Sequence, residues 1–397
     1  MKKLGIALGV IVIVSALVWS LIGSDWRRLA LNLPTNADVL FWSQGQREAG
    51  FRMMDRVPAL IESRKIPAGD SVRDFETGPE LSLPLDLDAY MQSQNHASLI
   101  VVHNGAIRLE RYGLGFEQDG RWTSFSVAKS LTSTLVGIAV KEGDIESLSD
   151  PVSKYIEGLS GSSYDDVTIE QLLTMSSGVA WNETYTDPNS DVARFNEHVA
   201  EDGGSNLVSY MAALPRAPPA GEVWNYSTGE TNMIGILVME ATGKDLSDYL
   251  SEKIWAPYGM LQDASWLIND AGSEISGCCI QAATRDFARY GQFILDGGQI
   301  DGVSLLPDGW IDLATTKRIN YGRSGQGYGY QWWTYDTGAF AARGIFGQGI
   351  YIDPSRNLII ASNSNWTTAL GNDGGEGARR EAFYQTVVDA IDAESAG

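Results

Sequence analysis

The chain is poor in the residues that most often build enzyme centres. Its 397 residues include three histidines and two cysteines, and the cysteines, Cys278 and Cys279, are adjacent. An ordinary disulfide between neighbouring cysteines is geometrically unfavourable, so the pair is predicted to be two small buried side chains. The sequence has no H-E-x-x-H, C-x-x-C or clustered carboxylate pattern. We therefore expect no metal and no other cofactor.

The scarcity of histidine also limits how a serine could be activated. The chain contains only His96, His103 and His198, and it has no G-x-S-x-G elbow. A Ser-His-Asp site is therefore disfavoured, and a serine nucleophile would need another base.

Cationic residues are few as well. The net charge is −21, which argues against a partner with a phosphate backbone, so no nucleic-acid partner is expected. A hydrophobic fraction of 44% and an aromatic fraction of 10% are typical of an ordinary globular protein.

The longest uncharged run stands at the N-terminus. Lys2 and Lys3 precede residues 4–23, which are rich in Ile, Val, Leu and Ala. About 20 such residues can cross a bilayer core of about 30 Å as a helix, and the run offers a poor signal-peptidase site. Residues 1–24 are therefore predicted to anchor the protein in the inner membrane with its catalytic body in the periplasm. The alternative is a cleaved signal peptide and a secreted protein.

The order of local patterns predicts the fold. A polar, loop-like extension is predicted at residues 25–88, and residues 89–397 form the main domain. Hairpins are predicted at 97–112, around Asn104-Gly105, and at 349–362; helices are predicted at about 230–240, 246–255, 283–295 and 377–393. Strands at both ends indicate an α/β (α+β) fold, in which an antiparallel sheet is flanked by N- and C-terminal helices. A large helical subdomain, about residues 130–240, is inserted in it.

A candidate nucleophile and base stand together at Ser126-Val127-Ala128-Lys129. Ser124 can cap a helix that carries Ser126 in its first turn and ends at Gly143. Residues i and i+3 share a helix face, so the amine of Lys129 can lie beside the hydroxyl of Ser126. Chance alone produces roughly one S-x-x-K in such a chain, so the motif needs partners elsewhere.

Tyr226 is the candidate third member, because it lies just before a predicted helix about a hundred residues downstream. A phenol with an ordinary pKa near 10 can shuttle protons as a phenolate only if a nearby cation favours that form, and Lys129 would be that cation. An oxyanion needs two N–H donors. One is expected from Ser126, and the other from residues 342–348, where glycines are equally consistent with close backbone approach and with a β-bulge.

With these motifs in order, the chain resembles the penicillin-recognising serine hydrolases, the superfamily of class C β-lactamases, D-alanyl-D-alanine carboxypeptidases and related esterases. The stretches at residues 143–155 and 171–178 carry this resemblance. The stretches at 184–188, 284–291, 331–333 and 344–348 are similar to the 6-aminohexanoate-dimer (nylon oligomer) hydrolase branch.

The resemblance implies a role for each matching residue. It implies that Ser126 is acylated, that Lys129 and Tyr226 activate it, and that Ile345 supplies the second oxyanion N–H. It also implies a substrate-binding part for four further residues, Tyr185, Trp333, Arg343 and Gly344.

Two departures from the family pattern bear on the substrate. Thr228 replaces the asparagine of the Y-x-N motif, and Ala342-Arg343-Gly344 replaces K-T-G. The sequence therefore predicts a hydrolase of small-molecule esters or linear amides. The alternatives are a β-lactamase or D-alanyl-D-alanine carboxypeptidase, and a non-catalytic acyl-binding or sensor module. The oligomeric state is left open.

Overall fold

The computed structural model describes residues 17, 19–57, 61–200, 204–269 and 271–396. The predicted anchor, residues 1–24, lies mostly outside this part of the chain. Among the described residues, no helix has both the length and the apolar character needed to cross a bilayer.

Helices and strands are interspersed along the described chain. The α-helices are α1 (Ser24–Leu31), α2 (Gln44–Gly50), α3 (Leu87–Ser93), α4 (Val127–Glu142), α5 (Ile169–Leu173), α6 (Asp191–Arg194), α7 (Asn206–Ala212), α8 (Thr228–Thr242), α9 (Leu246–Leu250), α10 (Thr284–Leu295), α11 (Trp310–Thr315) and α12 (Glu376–Ala396). The strands are β1 (Ser63–Ile66), β2 (Glu76–Thr77), β3 (His96–His103), β4 (Ala106–Tyr112), β5 (Trp122–Thr123), β6 (Ala264–Leu267), β7 (Ile280–Ala282), β8 (Gln299–Ile300), β9 (Val303–Ser304), β10 (Gln326–Tyr328), β11 (Trp333–Tyr335), β12 (Phe340–Arg343), β13 (Gly349–Asp353) and β14 (Leu358–Ser364).

One sheet joins the two ends of the domain. Within the described residues its strand order is β10-β11-β12-β13-β14-β3-β4-β2, and β14 pairs with β3 in antiparallel register. The sheet is antiparallel except at its edge, where β2 runs parallel to β4. Both predicted hairpins are present as β3-β4 and β13-β14. The predicted fold class is therefore confirmed.

Helices cover both faces of this sheet, as the alternation of side chains along a strand requires. Leu99 and Val101 of β3 pack in one buried cluster with Val387 of α12. Ile100 of the same strand belongs to the other buried cluster, with Phe287 of α10. The closing helix and the predicted 283–295 helix thus lie on opposite sides of the sheet.

The extension before residue 88 is more structured than predicted. It contains α1, α2 and β1, and β1 pairs with β6 in a second sheet of order β1-β6-β7-β5. Phe51, which follows α2, packs edge-on against Trp122 and Phe125. The prediction of a loop-like region was wrong because these short elements bury their apolar residues against the body of the protein. They thereby pack against the turn that precedes Ser126.

Candidate active site

Ser126 occupies the N-cap position of α4 and does not lie inside its first turn. Within the described chain its side chain makes no capping hydrogen bond, so the hydroxyl is not engaged by the helix backbone. The expected cap, Ser124, donates instead to the carbonyl of Phe125 and accepts the N–H of Ile280. That prediction was wrong because Phe125 adopts φ +42°, so the helix starts only after this turn. Gly143 ends the helix in the left-handed conformation, as predicted.

Lys129 lies one helical turn beyond Ser126 and is almost fully buried, with 1% of its surface exposed. Its Nζ donates to Thr228 Oγ1 at 3.0 Å and to the carbonyl of Gly277 at 2.9 Å. A neutral amine has two N–H groups and one lone pair. Because two acceptors occupy the N–H groups, the lone pair remains available for the proton of Ser126.

Burial also favours the neutral form of this amine. Desolvation lowers the pKa of Lys129 to about 8, and the nearby carboxylate of Glu183 acts in the opposite direction and raises it. A base is most effective when its pKa lies near the working pH, so this lysine suits proton abstraction at neutral to mildly alkaline pH.

Tyr226 lies over the same amine, with its ring centroid 5.2 Å from Lys129 Nζ. The ring also stacks on Trp333, with the centroids 5.6 Å apart. Burial raises the pKa of Tyr226 above its ordinary value, Glu183 adds to the rise, and a hydrogen bond with Ser126 opposes it. The predicted phenolate is therefore wrong, because desolvation of the negative form outweighs any help from Lys129. Tyr226 is a neutral phenol.

Two backbone N–H groups are free at the predicted oxyanion position. Among the described residues, the N–H groups of Ser126 and Ile345 have no acceptor, whereas those of Val127, Gly344 and Phe346 all donate to carbonyls. Both free groups border the same cavity. Unpaired N–H donors that face a cavity are what an oxyanion hole requires.

Gly344 explains how these two segments come together. A Cβ added at this position would stand 2.6 Å from the carbonyl oxygen of Ser124. The end of β12 can therefore approach the turn before α4 only because residue 344 has no side chain. Of the two interpretations of this glycine, the structure supports close backbone approach.

A cavity of about 730 Å³ opens beside Ser126. Its wall includes Tyr185, Thr228 and Ile345, together with Leu40 and Phe41 from the N-terminal extension. Four carboxylates also line it, Asp38, Glu62, Glu197 and Glu274, and of these Glu274 is paired with Arg64 at 2.7 Å. Within the described part of the chain the lining contains no lysine or arginine. The cavity is therefore better suited to neutral or cationic groups than to anions.

Of the remaining predicted binding residues, Tyr185 lies on the cavity wall, whereas Trp333 and Arg343 contact other side chains. Tyr185 lines the cavity, and its hydroxyl donates to Glu183 at 2.9 Å. Trp333 supports Tyr226 from behind. The guanidinium of Arg343 donates to Glu381 at 2.9 Å and to the hydroxyl of Tyr335. Arg343 thus already has a carboxylate partner.

Glu183 and Gly277 adjoin the lysine site, but neither was predicted from the sequence. Glu183 lies two residues before Tyr185, but the chain has 50 acidic residues and no local pattern distinguishes this one. Gly277 supplies only a backbone carbonyl, which leaves no residue-type signal. A Cβ there would stand 2.9 Å from both the Cγ2 and the carbonyl oxygen of Thr228. Glycine is therefore needed where this loop meets α8.

The cysteines that follow Gly277 form a disulfide, Cys278–Cys279. The prediction of two separate thiols was wrong. The pair lies at a turn where Cys279 adopts φ +79°, a backbone conformation outside the ordinary extended and helical regions. Both residues border the cavity, so the disulfide forms part of its wall.

Sequence comparisons show which known proteins this chain is similar to. The sequence model of the family described as β-lactamase matches residues 87–383. The 6-aminohexanoate-dimer hydrolase of Paenarthrobacter ureafaciens is 27% identical over 336 residues, which is 81% of this chain and 85% of that protein. A β-lactamase of Pseudomonas fluorescens is 24% identical over 183 residues, 44% of this chain and 47% of that protein.

A solved structure agrees with the fold. A Bacillus anthracis protein, provisionally described as a 6-aminohexanoate-dimer hydrolase, superposes with a TM-score of 0.76 at 22% identity, covering 88% of this chain and 94% of that one. At this identity the likeness concerns the fold, and it extends over most of both chains.

Proposed function

We propose that this chain, which belongs to the β-lactamase family, hydrolyses ester or linear amide bonds through an acyl-enzyme on Ser126. Membership of this family makes the protein a serine hydrolase. The observation that carries the proposal is the arrangement at one end of the cavity. There the hydroxyl of Ser126 and the unpaired N–H groups of Ser126 and Ile345 border the cavity. Lys129, whose pKa is lowered to about 8, is buried one helical turn beyond Ser126 and donates to Thr228 and Gly277 of the cavity wall.

The reaction follows from these groups. Lys129 accepts the proton of Ser126 as Oγ attacks the carbonyl carbon, and the N–H groups of Ser126 and Ile345 stabilise the oxyanion. The phenol of Tyr226 passes a proton to the departing alkoxide or amine and is reprotonated from Lys129. Water then attacks the acyl-enzyme, the same groups take one of its protons and return it to Ser126 Oγ as the acyl bond breaks, and the acid product is released.

Esters and linear amides fit this cavity better than β-lactams. A β-lactam antibiotic carries a carboxylate, and family members that bind it use the positions that are Thr228, Ala342 and Arg343 in this chain. Arg343 is engaged with Glu381, and the cavity wall adds carboxylates. An anionic substrate would therefore be repelled. Tyr185 then serves to position the acyl group from the cavity wall. Trp333 and Gly344 act indirectly, by supporting Tyr226 and by placing the N–H of Ile345.

A serine-reactive phosphonate tests the proposal. It should label the wild type, and Ser126→Ala should lose the label. Nitrophenyl esters with neutral, cationic and anionic acyl groups, linear amides and nitrocefin should then be compared, with neutral and cationic esters hydrolysed fastest. Equal labelling of both proteins would contradict the assignment. Rapid nitrocefin hydrolysis would favour a β-lactamase, and labelling without turnover of any ester or amide would favour an acyl-binding module.

We propose further that residues 4–23 hold the protein at the inner membrane with its catalytic body in the periplasm. The support is the length and lack of charge of this run, which follows Lys2 and Lys3. Cell fractionation tests this assignment. The full-length protein should sediment with membranes and be released by detergent but not by high salt, and release by salt alone would contradict it.

A further inference from the structure

The carboxylate of Glu183 receives four hydrogen bonds beside the lysine site. Its Oε1 accepts from the hydroxyl of Tyr185 at 2.9 Å and from the hydroxyl of Thr228. Its Oε2 accepts from the backbone N–H of Thr228 at 3.0 Å and from the indole N–H of Trp181. We propose that Glu183 is a positioning residue of the acylation site, which orients the Lys129 amine through the hydroxyl of Thr228 and acts as its counter-charge. This inference rests on the proposed function.

The hydroxyl of Thr228 is the link between the two charged groups. Lys129 Nζ donates to Thr228 Oγ1 at 3.0 Å, and the same oxygen donates its proton to Glu183. A hydroxyl has one proton to donate and lone pairs to accept with. Because Glu183 takes that proton, the lone pairs of Oγ1 face Lys129. The carboxylate thereby fixes where one N–H of the lysine must point.

This arrangement also gives a physical meaning to the threonine in the Y-x-N motif. A carboxamide at this position would present its acceptor and its donors on different atoms. A hydroxyl joins an amine and a carboxylate through one oxygen. Thr228 and Glu183 therefore act together. An asparagine at residue 228 could not join Lys129 and Glu183 through a single oxygen.

The backbone favours a negative charge at this point. Thr228 is the first residue of α8, a helix of 15 residues, and its N–H donates to Glu183. The positive end of a helix stabilises an anion placed there. Together with three side-chain donors, this N–H holds the carboxylate in one orientation next to the lysine.

The charged groups around the network are few. The neighbours of Lys129 are Glu183, the neutral phenol of Tyr226 and the neutral acceptors of Thr228 and Gly277. Glu183 raises the pKa of Lys129 against the lowering by burial. Three phenols face the carboxylate, and the pKa of each is raised: Tyr185, Tyr226 and Tyr328. The buried carboxyl of Glu230 also feels this charge, since Glu183 adds to the rise of its pKa. Loss of the negative charge at Glu183 should therefore lower the pKa of Lys129.

Glu183 neither gains nor loses a proton during the reaction in this scheme. The proton of Ser126 moves to Lys129 and then, by way of Tyr226, to the leaving group. The carboxylate stabilises the ammonium that exists between these transfers. Its removal should alter the pH at which Lys129 works and leave the order of bond changes the same.

The pH dependence of Ser126 labelling by a nitrophenyl phosphonate tests this role. In the wild type the second-order rate should rise through a limb near pH 8, the pKa of Lys129. In Glu183→Gln the limb should move to lower pH by about one unit, since a neighbouring opposite charge shifts a pKa by about 1–3 units. A folded Glu183→Gln variant with the wild-type limb would overturn the inference. A wild type that is not labelled at any pH would instead overturn the proposed function.

Glu230→Gln is the matched control. Glu230 is a buried carboxyl in the same helix as Thr228, and burial raises its pKa to about 8. Its Oε1 accepts from Tyr164 at 3.2 Å and from Ser177. The shift in the pKa of Lys129 comes from burial and from Glu183, so the Glu230→Gln variant should keep the wild-type limb. An equal shift in Glu230→Gln would show a general effect of altering α8 and would overturn the inference.

Variants of Thr228 decide the question if Glu183→Gln does not fold. Thr228→Ser keeps the bridging hydroxyl, whereas Thr228→Val keeps the shape and removes it. Labelling of Ser126 should remain within about threefold of wild type in the serine variant and fall at least about tenfold in the valine variant, the scale of one lost hydrogen bond to a charged group. Equal rates in the two variants would overturn the inference.

Discussion

Lys129 Nζ lies 5.2 Å from the ring centroid of Tyr226, and burial moves the pKa values of these two neighbours in opposite directions. The pKa of Lys129 falls to about 8, whereas the pKa of Tyr226 rises. Desolvation disfavours whichever form is charged, so it makes the lysine a usable base and keeps the tyrosine a phenol. Two groups whose pKa values are driven apart are suited to act as a base and an acid in one site.

Tyr226→Phe tests the acid role. The phenyl ring should remain stacked on Trp333, since that contact does not use the hydroxyl. We expect kcat for a nitrophenyl ester to fall by about 10²–10⁴, the usual contribution of a general acid or base. The free energy of unfolding should change by less than about 1.5 kcal/mol, the net value of one hydrogen bond. Steady-state kinetics and urea denaturation measure the two effects, and an unchanged kcat would remove Tyr226 from the mechanism.

Lys129→Met tests the cost of burying the amine. The fall of its pKa from 10.5 to about 8 corresponds to about 3 kcal/mol at about 1.4 kcal/mol per unit. The substitution also removes the hydrogen bonds to Thr228 and Gly277, and each loss reduces this gain in stability by about 1 kcal/mol. The inactive variant should therefore be about 1–2 kcal/mol more stable than wild type at pH 7.

The sign of the pH dependence follows from proton binding. Between pH 8 and 10.5 the unfolded lysine holds a proton that the folded one has released, so the stability of the wild type rises with pH in this window. The advantage of Lys129→Met should therefore be constant below about pH 8 and shrink toward pH 10. Urea denaturation of both proteins at pH 7 and pH 10 measures this difference, and an advantage that grows with pH would contradict the buried-amine account.

The local patterns of the chain predicted the central sheet and its hairpins. Asn104-Gly105 between two apolar runs specifies a turn within a few residues, and Ser126 and Lys129 are joined by a single helical turn. Such features depend on neighbours in sequence. They could therefore be recognised from the amino-acid order alone.

The features that were missed or mistaken depend on contacts between distant parts of the chain. Glu183 meets Thr228 across 45 residues, and Phe51 meets Trp122 only in the folded protein. The raised pKa of Tyr226 likewise comes from burial, which depends on the whole fold. Residue type does not reveal any of these relationships.

The Cys278–Cys279 disulfide adjoins the carbonyl that holds Lys129, since Gly277 precedes it directly. Because both thiols are held in the disulfide, denatured protein that has not been reduced should take up no iodoacetamide on cysteine. Reduced protein should take up two equivalents, as measured by mass spectrometry. Replacing both cysteines with alanine should lower kcat, because a shift of about 1 Å in a catalytic group can cost about 100-fold. Alkylation of both thiols without reductant would disprove the disulfide.

Gly344→Ala tests whether the free N–H of Ile345 acts on the oxyanion. An alanine Cβ would stand 2.6 Å from the carbonyl oxygen of Ser124, so the end of β12 must move away from the turn before Ser126. The N–H of Ile345 would move with it, and kcat should fall by about 10²–10³, the cost of losing one oxyanion donor. Gly349→Ala, on the adjacent strand, is the matched control. The nearest atom to its Cβ is the hydroxyl of Tyr384 at 3.2 Å, at the end of a side chain that can adjust. This control should retain most of its activity, and a folded Gly344→Ala enzyme with wild-type kcat would show that the second oxyanion donor lies elsewhere.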